Sequence, residues 1–363
     1  MDSRTRFKCL LDNKRPDRVL RDYWAVPEID KGLLKHFKLE SKDELLDKLD
    51  IDFRYVEGPK YLGYPLKEHP DGSKEDLWGV RRKVVHTGEG EFKGSYKSVV
   101  SNPLSDCKSV EDILNYEKWP NPDDFDYSVV KEQCEACGDR VVMFMGDRLN
   151  RLAQLKPAMY LRGINRILVD MRRKNDKIFV AIRDKITGFY NEYLTRILKA
   201  AGNKIDVVVT GDDFGTQTGL FFQPKVWREK LMAGFKKFIQ IAGSKGIPVM
   251  HHSCGSIHPI IKDMVDCGLR ILNPIQPGVY DMNHVELKEE FGANLIFHGG
   301  VSLQGPLRFG TPAEVRDEVK KRISELGRNG GYIICTAHNI QADTRLENVL
   351  GLFEAYKDFS HYD

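Results

Sequence analysis

The sequence predicts an α/β protein whose parallel strands close into a (β/α)8 TIM barrel, and three observations carry that prediction. From about residue 139 onward, short apolar runs alternate with amphipathic helical stretches, the rhythm of a parallel sheet covered by helices. The runs are almost continuously apolar, as strands buried on both faces are. With two earlier candidates the strands number eight, enough to close a barrel. An open doubly wound sheet is the alternative.

The first two candidate strands are "RVLRDYWAV" (18–26) and "DIDFRYV" (50–56). Residues 57–138 then break the rhythm: "DLWGVRRKVVHTGEGEFKGSYKSVV" reads as a β-hairpin around a Gly-rich turn, and "YEKWPNPDDFDYS" is loop-like. This stretch is expected to be an insertion or cap within a single barrel domain spanning residues 1–363. The later strands are expected at 140–146, 205–211, 246–252, 269–275, 294–300 and 330–337. Between them, "PKVWREKLMAGFKKFIQIAGSKG" opens on Pro and closes on Gly, and in "TPAEVRDEVKKRISELGRNGG" Thr311 and Glu314 form a capping box.

The 363 residues are 41% hydrophobic and 30% charged, an ordinary composition for a chain with a large core. A net charge of +3 gives no reason to expect nucleic acid or an anionic membrane as partner. Neither a signal-like apolar stretch nor the roughly 20 apolar residues of a membrane span is present, so a cytoplasmic location is expected, and a homodimer is permitted. Seven scattered cysteines, an odd number, read as reduced thiols rather than a disulfide framework.

In a barrel of this kind chemistry sits at the C-terminal ends of the strands. The loops there are "GDDFGTQTG", "HHSCGS", "NPIQPG", "HGGVSLQG" and "TAHNIQAD". Within "PVMHHSCGSIH" (248–258), strand alternation places His252 and Cys254 on one face and His251 on the other. His252 and Cys254 can therefore share an ion, and a helix opening at Gly255 or Ser256 would favour the thiolate. Zinc with an open position needs a third ligand; His338, at the end of the last strand, is expected, with Cys335 as fallback. A buried, hydrogen-bonded histidine beside an inert thiol is the competing reading.

Adjacent Asp212 and Asp213 cannot both face inward. Asp213 is expected inward because it shares the alternation with Gly215 and Gln217, leaving Asp212 to a structural hydrogen bond. His251 is expected to be structural and His258 exposed on a helix. Cys134 and Cys137 of "CEAC" read as a helix face, and the glycines of "HGGVSLQG" as barrel packing as readily as a phosphate-binding turn.

The ordered stretches "YLRGINRILVDM", "TGDDFGTQTGLFFQPKVWREKL", "VMHHSCGSI", "LRILNPIQP", "FHGGVSLQ" and "GGYIICTAHNIQADTRLENVLGLFEA" resemble the uroporphyrinogen decarboxylase-like superfamily, a (β/α)8 barrel, strongly over 139–359 and weakly before. True decarboxylases of that family look like Pro-x-Trp-x-Met-Arg-Gln-Ala-Gly-Arg near the first strand, where paired arginines meet substrate carboxylates; the corresponding "RVLRDYWAVPEID" has no arginine pair in that pattern. The cobamide-dependent methyltransferase branch holds zinc by His-x-Cys and a later Cys. His252 and Cys254 match the first two, and alignment back from "TRLENV" puts His338 at the third. The "AHNIQ" form is similar to substrate-side methyltransferases of O-demethylase systems.

The resemblance implies a zinc-dependent methyltransferase moving a methyl group from a methoxylated, aromatic substrate to the Co(I) of a corrinoid (cobalamin) carried by a partner protein. Asp213 and His252 would be catalytic, and Tyr23, Trp24, Gln217, Asn273, Gln276 and Asn339 would meet the substrate. The rival readings are a metal-free decarboxylase, a methylcorrinoid:thiol methyltransferase and a non-catalytic binding barrel.

Overall fold

The computed structural model describes residues 1–87, 94–146, 152–173 and 176–362. One sheet contains eight parallel strands: β1 (Leu20–Arg21), β2 (Phe53–Val56), β3 (Val141–Phe144), β4 (Val207–Gly211), β5 (Val249–His252), β6 (Ile271–Asn273), β7 (Ile296–Val301) and β8 (Tyr332–Thr336). Neighbours pair in chain order from β2 to β8, and β8 returns to β1. Asp52, entering β2, donates its N–H to the Arg21 carbonyl of β1 at 3.0 Å, so the sheet nearly closes on itself. This is the expected (β/α)8 barrel, and the open doubly wound alternative falls.

The strand period of two fixes the interior in layers. Leu20, Phe53, Val141, Met143, Val207, Val209, Met250, Ile271, Ile296 and Ile333 fill the centre, with Phe7 and Leu10 of the N-terminal helix Ser3–Leu11 closing one end. Two residues further along five of these strands stand Asp22, Tyr55, His252, Asn273 and His298. An apolar plug thus carries a polar layer at the C-terminal mouth. The alternate strand residues, such as Val142, Val208, Val249 and Leu272, pack outward against the helices.

Several elements differ from expectation in extent. Strand β1 is Leu20–Arg21 rather than 18–26, because the Asp22 carboxylate takes the Tyr23 N–H at 2.7 Å and Pro27 opens a helix, Pro27–Phe37. The helix expected from "PKVWREKL" onward is two, Pro224–Lys230 and Met232–Gly243, broken at Leu231, whose φ is −120°. The Thr311–Glu314 capping box forms as expected.

Between β2 and β3 the chain builds an antiparallel sheet of Lys74–Glu75, Arg81–Thr87 and Gly94–Ser101. The expected hairpin is therefore present, and its Gly-rich turn, 88–93, lies outside the described residues. Trp78 anchors this region to the barrel, its ring 5.3 Å from Phe189 and 5.6 Å from Tyr190 on the helix Lys177–Ala201. Among the described residues no helix is long and apolar enough to cross a membrane.

At the N-terminal end a buried carboxylate joins the first two strands. Asp52 accepts from the Ser3 hydroxyl at 2.9 Å, the Arg18 guanidinium at 2.7 and 3.1 Å, and the Arg21 N–H at 2.8 Å. Arg21 itself meets Asp50 at 2.6 Å and the Ser360 hydroxyl. Removing one partner from a buried charged network leaves the others desolvated and unpaired. Asp52→Ala is expected to lower the unfolding free energy by about 3–5 kcal/mol, read from urea denaturation with the barrel's circular dichroism as signal.

Candidate metal centre

The mouth of the barrel is organised by the loops after β4 and β5, which cross in backbone contact. A Cβ on Gly215 would lie 2.6 Å from the Ser256 carbonyl oxygen, and one on Gly255 would lie 2.5 Å from the Gly215 carbonyl carbon. Gly255 also has φ +84°, a conformation that side chains disfavour. Two glycines therefore let the Asp213 carboxylate reach the next loop, where its Oδ1 accepts the Cys254 N–H at 3.1 Å.

His252 ends β5 facing inward and is buried. Its Nε2 lies 3.4 Å from Cys254 Sγ and 3.6 Å from Asp213 Oδ1. Imidazole, thiol and carboxylate form a group whose ligand atoms all lie within 4.8 Å of one another. On the other side of the ring, Nδ1 meets Asn273 Oδ1 at 2.5 Å. The donor set of nitrogen, sulfur and oxygen, with the far imidazole nitrogen tethered, fits zinc; it lacks the all-oxygen character that magnesium or calcium requires.

Asp213 is also held from behind, its Oδ2 accepting from Lys156 Nζ at 2.6 Å. Burial alone would raise its pKa, but His252, the Lys156 ammonium and the hydrogen bonds outweigh burial and keep the carboxyl well below the ordinary range. Asp212 has the opposite fate. Fully buried, it accepts the N–H groups of Gln154 and Lys156, each at 2.7 Å, at the start of the helix Leu155–Arg162. The second aspartate thus places the helix that delivers Lys156 to the first.

The geometry sorts the expected residues. Trp24 is at the site: its ring lies 5.9 Å from that of His252 and 5.5 Å from that of His298, and its indole N–H donates to Tyr55. His338 is exposed at the rim, its ring 6.0 Å from that of His252. The tight trio itself consists of Asp213, His252 and Cys254, brought together where the Gly215 and Gly255 loops cross. Cys335 does not join the trio; it is fully buried two residues behind Ala337, beside Asp22 and His298.

Among the expected substrate contacts, Asn273 is completely buried, and its amide serves His252 and His298 instead of facing open space. Tyr23 donates its hydroxyl to Asp30 at 2.6 Å and packs on Phe353, and it also lines the cavity that reaches Trp24. Gln217 is exposed in a turn, since the alternation ends at the Gly215–Leu220 bridge. Gln276 is half-buried and Asn339 half-buried at the rim, the Asn339 carbonyl accepting from Gln341.

His251 faces outward, its Nδ1 2.8 Å from the Thr210 hydroxyl and its ring stacked on Phe214. The helix after Cys254 starts at His258, not at Gly255 or Ser256, so its positive end is further from the thiol than expected. His258, half-buried rather than exposed, meets Asp281 and Glu290. Cys134 and Cys137 lie on and just past one helix, Val129–Ala136, and all seven cysteines are free thiols. Gly299 is packed against the Pro274 carbonyl, the barrel-packing role.

Sequence reasoning missed Lys156, Asp22, Tyr55 and His298. Lys156 carries no motif, but Asp22, Tyr55 and His298 each lie two residues beyond an interior apolar residue, a signal that alternation already contained. A cavity of about 780 Å³ reaches Trp24 from the side, lined by Asp22, Tyr55, Phe53, Met145 and Lys42 among others.

A nearly closed parallel barrel with a metal-capable His-x-Cys and carboxylate group at its mouth defines an enzyme-like class. The uroporphyrinogen decarboxylase (URO-D) family profile matches residues 151–359, more than half of the chain, and the chain belongs to that family. Among solved structures it is similar to a methyltransferase from Methanosarcina mazei, at 18% identity over 99% of each chain with a TM-score of 0.66, a likeness of fold. A dihydropteroate synthase from Anaplasma phagocytophilum with bound 6-hydroxymethylpterin-monophosphate is 16% identical over 42% of this chain and 61% of its own, at a TM-score of 0.30, too low to carry an argument. No curated protein sequence matches the chain.

Burial pushes the Asp212 carboxyl up to about 6, against the pull of its backbone hydrogen bonds. A raised folded-state pKa means that its contribution to stability is full below the ordinary 3.8 and is lost as pH rises through about 6. The stability of the wild type relative to Asp212→Asn should therefore fall between about pH 4 and pH 7, measured by denaturant titration at each pH.

Proposed function

We propose that the chain is a zinc-dependent methyltransferase of the corrinoid-using branch of its family, taking a methyl group from a methoxylated, aromatic compound. The observation that carries this reading is the convergence of His252 Nε2, Cys254 Sγ and Asp213 within 4.8 Å at the barrel mouth, where the ring of Trp24, a wall of the neighbouring cavity, lies 5.9 Å from that of His252. His252, Cys254 and Asp213 would hold the zinc, with His338 the nearest further imidazole. Bound there, zinc supplies a Lewis acid for the ether oxygen, which is otherwise a poor leaving group.

The chain's own residues would do the rest. Trp24 offers an aromatic face at the cavity end nearest His252, and Lys156 places a cation next to the carboxylate that borders the site. Asp213, held ionised, accepts a hydrogen bond rather than supplying a proton. The methyl–oxygen bond would break with its electron pair left on oxygen, and the methyl group would pass to a corrinoid on a partner protein, whose Co(I) would supply the electron pair of the new bond. Gln276, Asn339 and Gln217, on loops around the mouth, would meet whichever surface docks there. With thiols reduced and no membrane-crossing helix among the described residues, a cytoplasmic setting fits.

Porphyrinogen decarboxylation is the less favoured reading. The arginines nearest the first strand, Arg18 and Arg21, are buried in ion pairs with Asp50 and Asp52 at the opposite end of the barrel, so they do not offer a clamp for substrate carboxylates at the mouth.

Purified protein is expected to retain about one zinc per chain, and His252→Ala or Cys254→Ser to abolish most of that retention. Zinc-loaded protein, mixed with cob(I)alamin and a panel of methoxyarenes, should form methylcobalamin, read by its visible absorbance. Zinc absent from the wild type sinks the metal reading. Zinc present with demethylation of methylcobalamin by a thiol, and no transfer from any ether, supports the thiol methyltransferase instead.

A further inference from the structure

A metal-ligating imidazole must present an unprotonated nitrogen, so His252 has to carry its proton on Nδ1 if Nε2 is the ligand. The polar layer beneath the trio dictates where that proton stands. Asp22 Oδ1 accepts the Tyr23 N–H at 2.7 Å; Asp22 Oδ2 accepts from the Tyr55 hydroxyl at 2.5 Å and meets His298 Nε2 at 2.8 Å. A carboxylate donates nothing, so His298 Nε2 carries a proton, and the Asn273 NH2, which can only donate, makes His298 Nδ1 the acceptor.

That acceptor faces Asn273 Nδ2 at 2.6 Å. With its nitrogen committed to His298, the Asn273 amide presents its oxygen to His252 Nδ1 at 2.5 Å, where it accepts an N–H. His252 Nε2 is left with its lone pair toward Cys254 and Asp213. Each link is buried, Asn273 and His298 completely so, and Trp24 lies against both imidazoles, so water does not substitute for a missing partner.

Asp22, His298 and Cys335 are themselves close enough to suggest a second metal group. The geometry assigns them to hydrogen bonding. The Asp22–His298 separation is that of a hydrogen bond, and burial pushes the Cys335 thiol well above its ordinary value, away from the thiolate that a metal requires.

We infer that Asp22, His298 and Asn273 are positioning residues: a polarised relay starting at the Asp22 carboxylate fixes the His252 proton on Nδ1 and so keeps Nε2 open to the metal. The inference rests on the metal reading of the trio. One isosteric substitution should reverse the whole relay. In Asp22→Asn the amide oxygen must stay on the Tyr23 N–H, so the NH2 takes the place of Oδ2 and donates to His298 Nε2. His298 then carries its proton on Nδ1, Asn273 turns its oxygen to that proton, and Asn273 Nδ2 donates to His252 Nδ1. The His252 proton moves to Nε2. Adding Asn273→Asp repairs the damage, since a carboxylate accepts from both imidazoles.

The test reads tautomers and metal affinity separately. In metal-free protein labelled with 15N-histidine, long-range NMR correlations should show His252 protonated on Nδ1. Asp22→Asn should swap the two nitrogens and weaken zinc binding, by chelator competition, about 10–100-fold. The double variant Asp22→Asn, Asn273→Asp should restore both readouts, which loss of mere packing would not allow. Wild-type His252 protonated on Nε2 overturns the relay without recourse to any variant, and so does an Asp22→Asn protein of unchanged tautomer and zinc affinity. An Nδ1 tautomer in wild-type protein that takes up no zinc supports the relay and overturns the metal reading instead.

Discussion

Everything at the mouth of this barrel depends on the two-residue period of parallel strands converging on one axis. Met250, Ile271, Ile296 and Leu20 belong to the apolar plug, and the period makes His252, Asn273, His298 and Asp22 their partners one layer up. The register of His252 with Asn273 then puts polar side chains from neighbouring strands level with one another. A polar layer on an apolar plug is costly unless each group is paired. Here the pairing runs from Asp22 through His298 and Asn273 to His252.

The second constraint is loop crossing. Strand order alone places the loops after β4 and β5 side by side, but contact as close as that of Gly215 and Gly255 requires two residues without side chains. That contact decides which groups stand closest together, since it brings the Asp213 carboxylate to the Cys254 N–H, while His338 stands at the rim with its ring 6.0 Å from that of His252. Asp212 contributes indirectly by anchoring the helix that carries Lys156. The adjacent aspartates therefore divide into one that touches the site and one that builds its wall, as their opposite pKa displacements reflect.

Stability and chemistry are kept at opposite ends. Arg18, Arg21, Asp50 and Asp52 join the first strands at the N-terminal end, while the metal-capable group stands at the C-terminal end, the usual division of labour in barrels. The arginines nearest the first strand are thereby committed to ion pairs at the end of the barrel remote from the metal-capable group.

The sequence by itself determined the barrel, because near-continuous apolar runs between capped amphipathic helices admit few other arrangements. It also determined that His252 and Cys254 share a face and that Asp213 rather than Asp212 points inward, since both follow from the period of two. Tertiary structure decided the rest. Which residue completes the trio, why Asn273 serves an imidazole rather than a substrate, and where Lys156 comes from all depend on distances between loops remote in sequence. Local pattern specifies the direction of a side chain along its own strand; it contains no measure of how closely two loops approach. That approach is set by glycines, registers and a buried carboxylate acting from other elements of the fold.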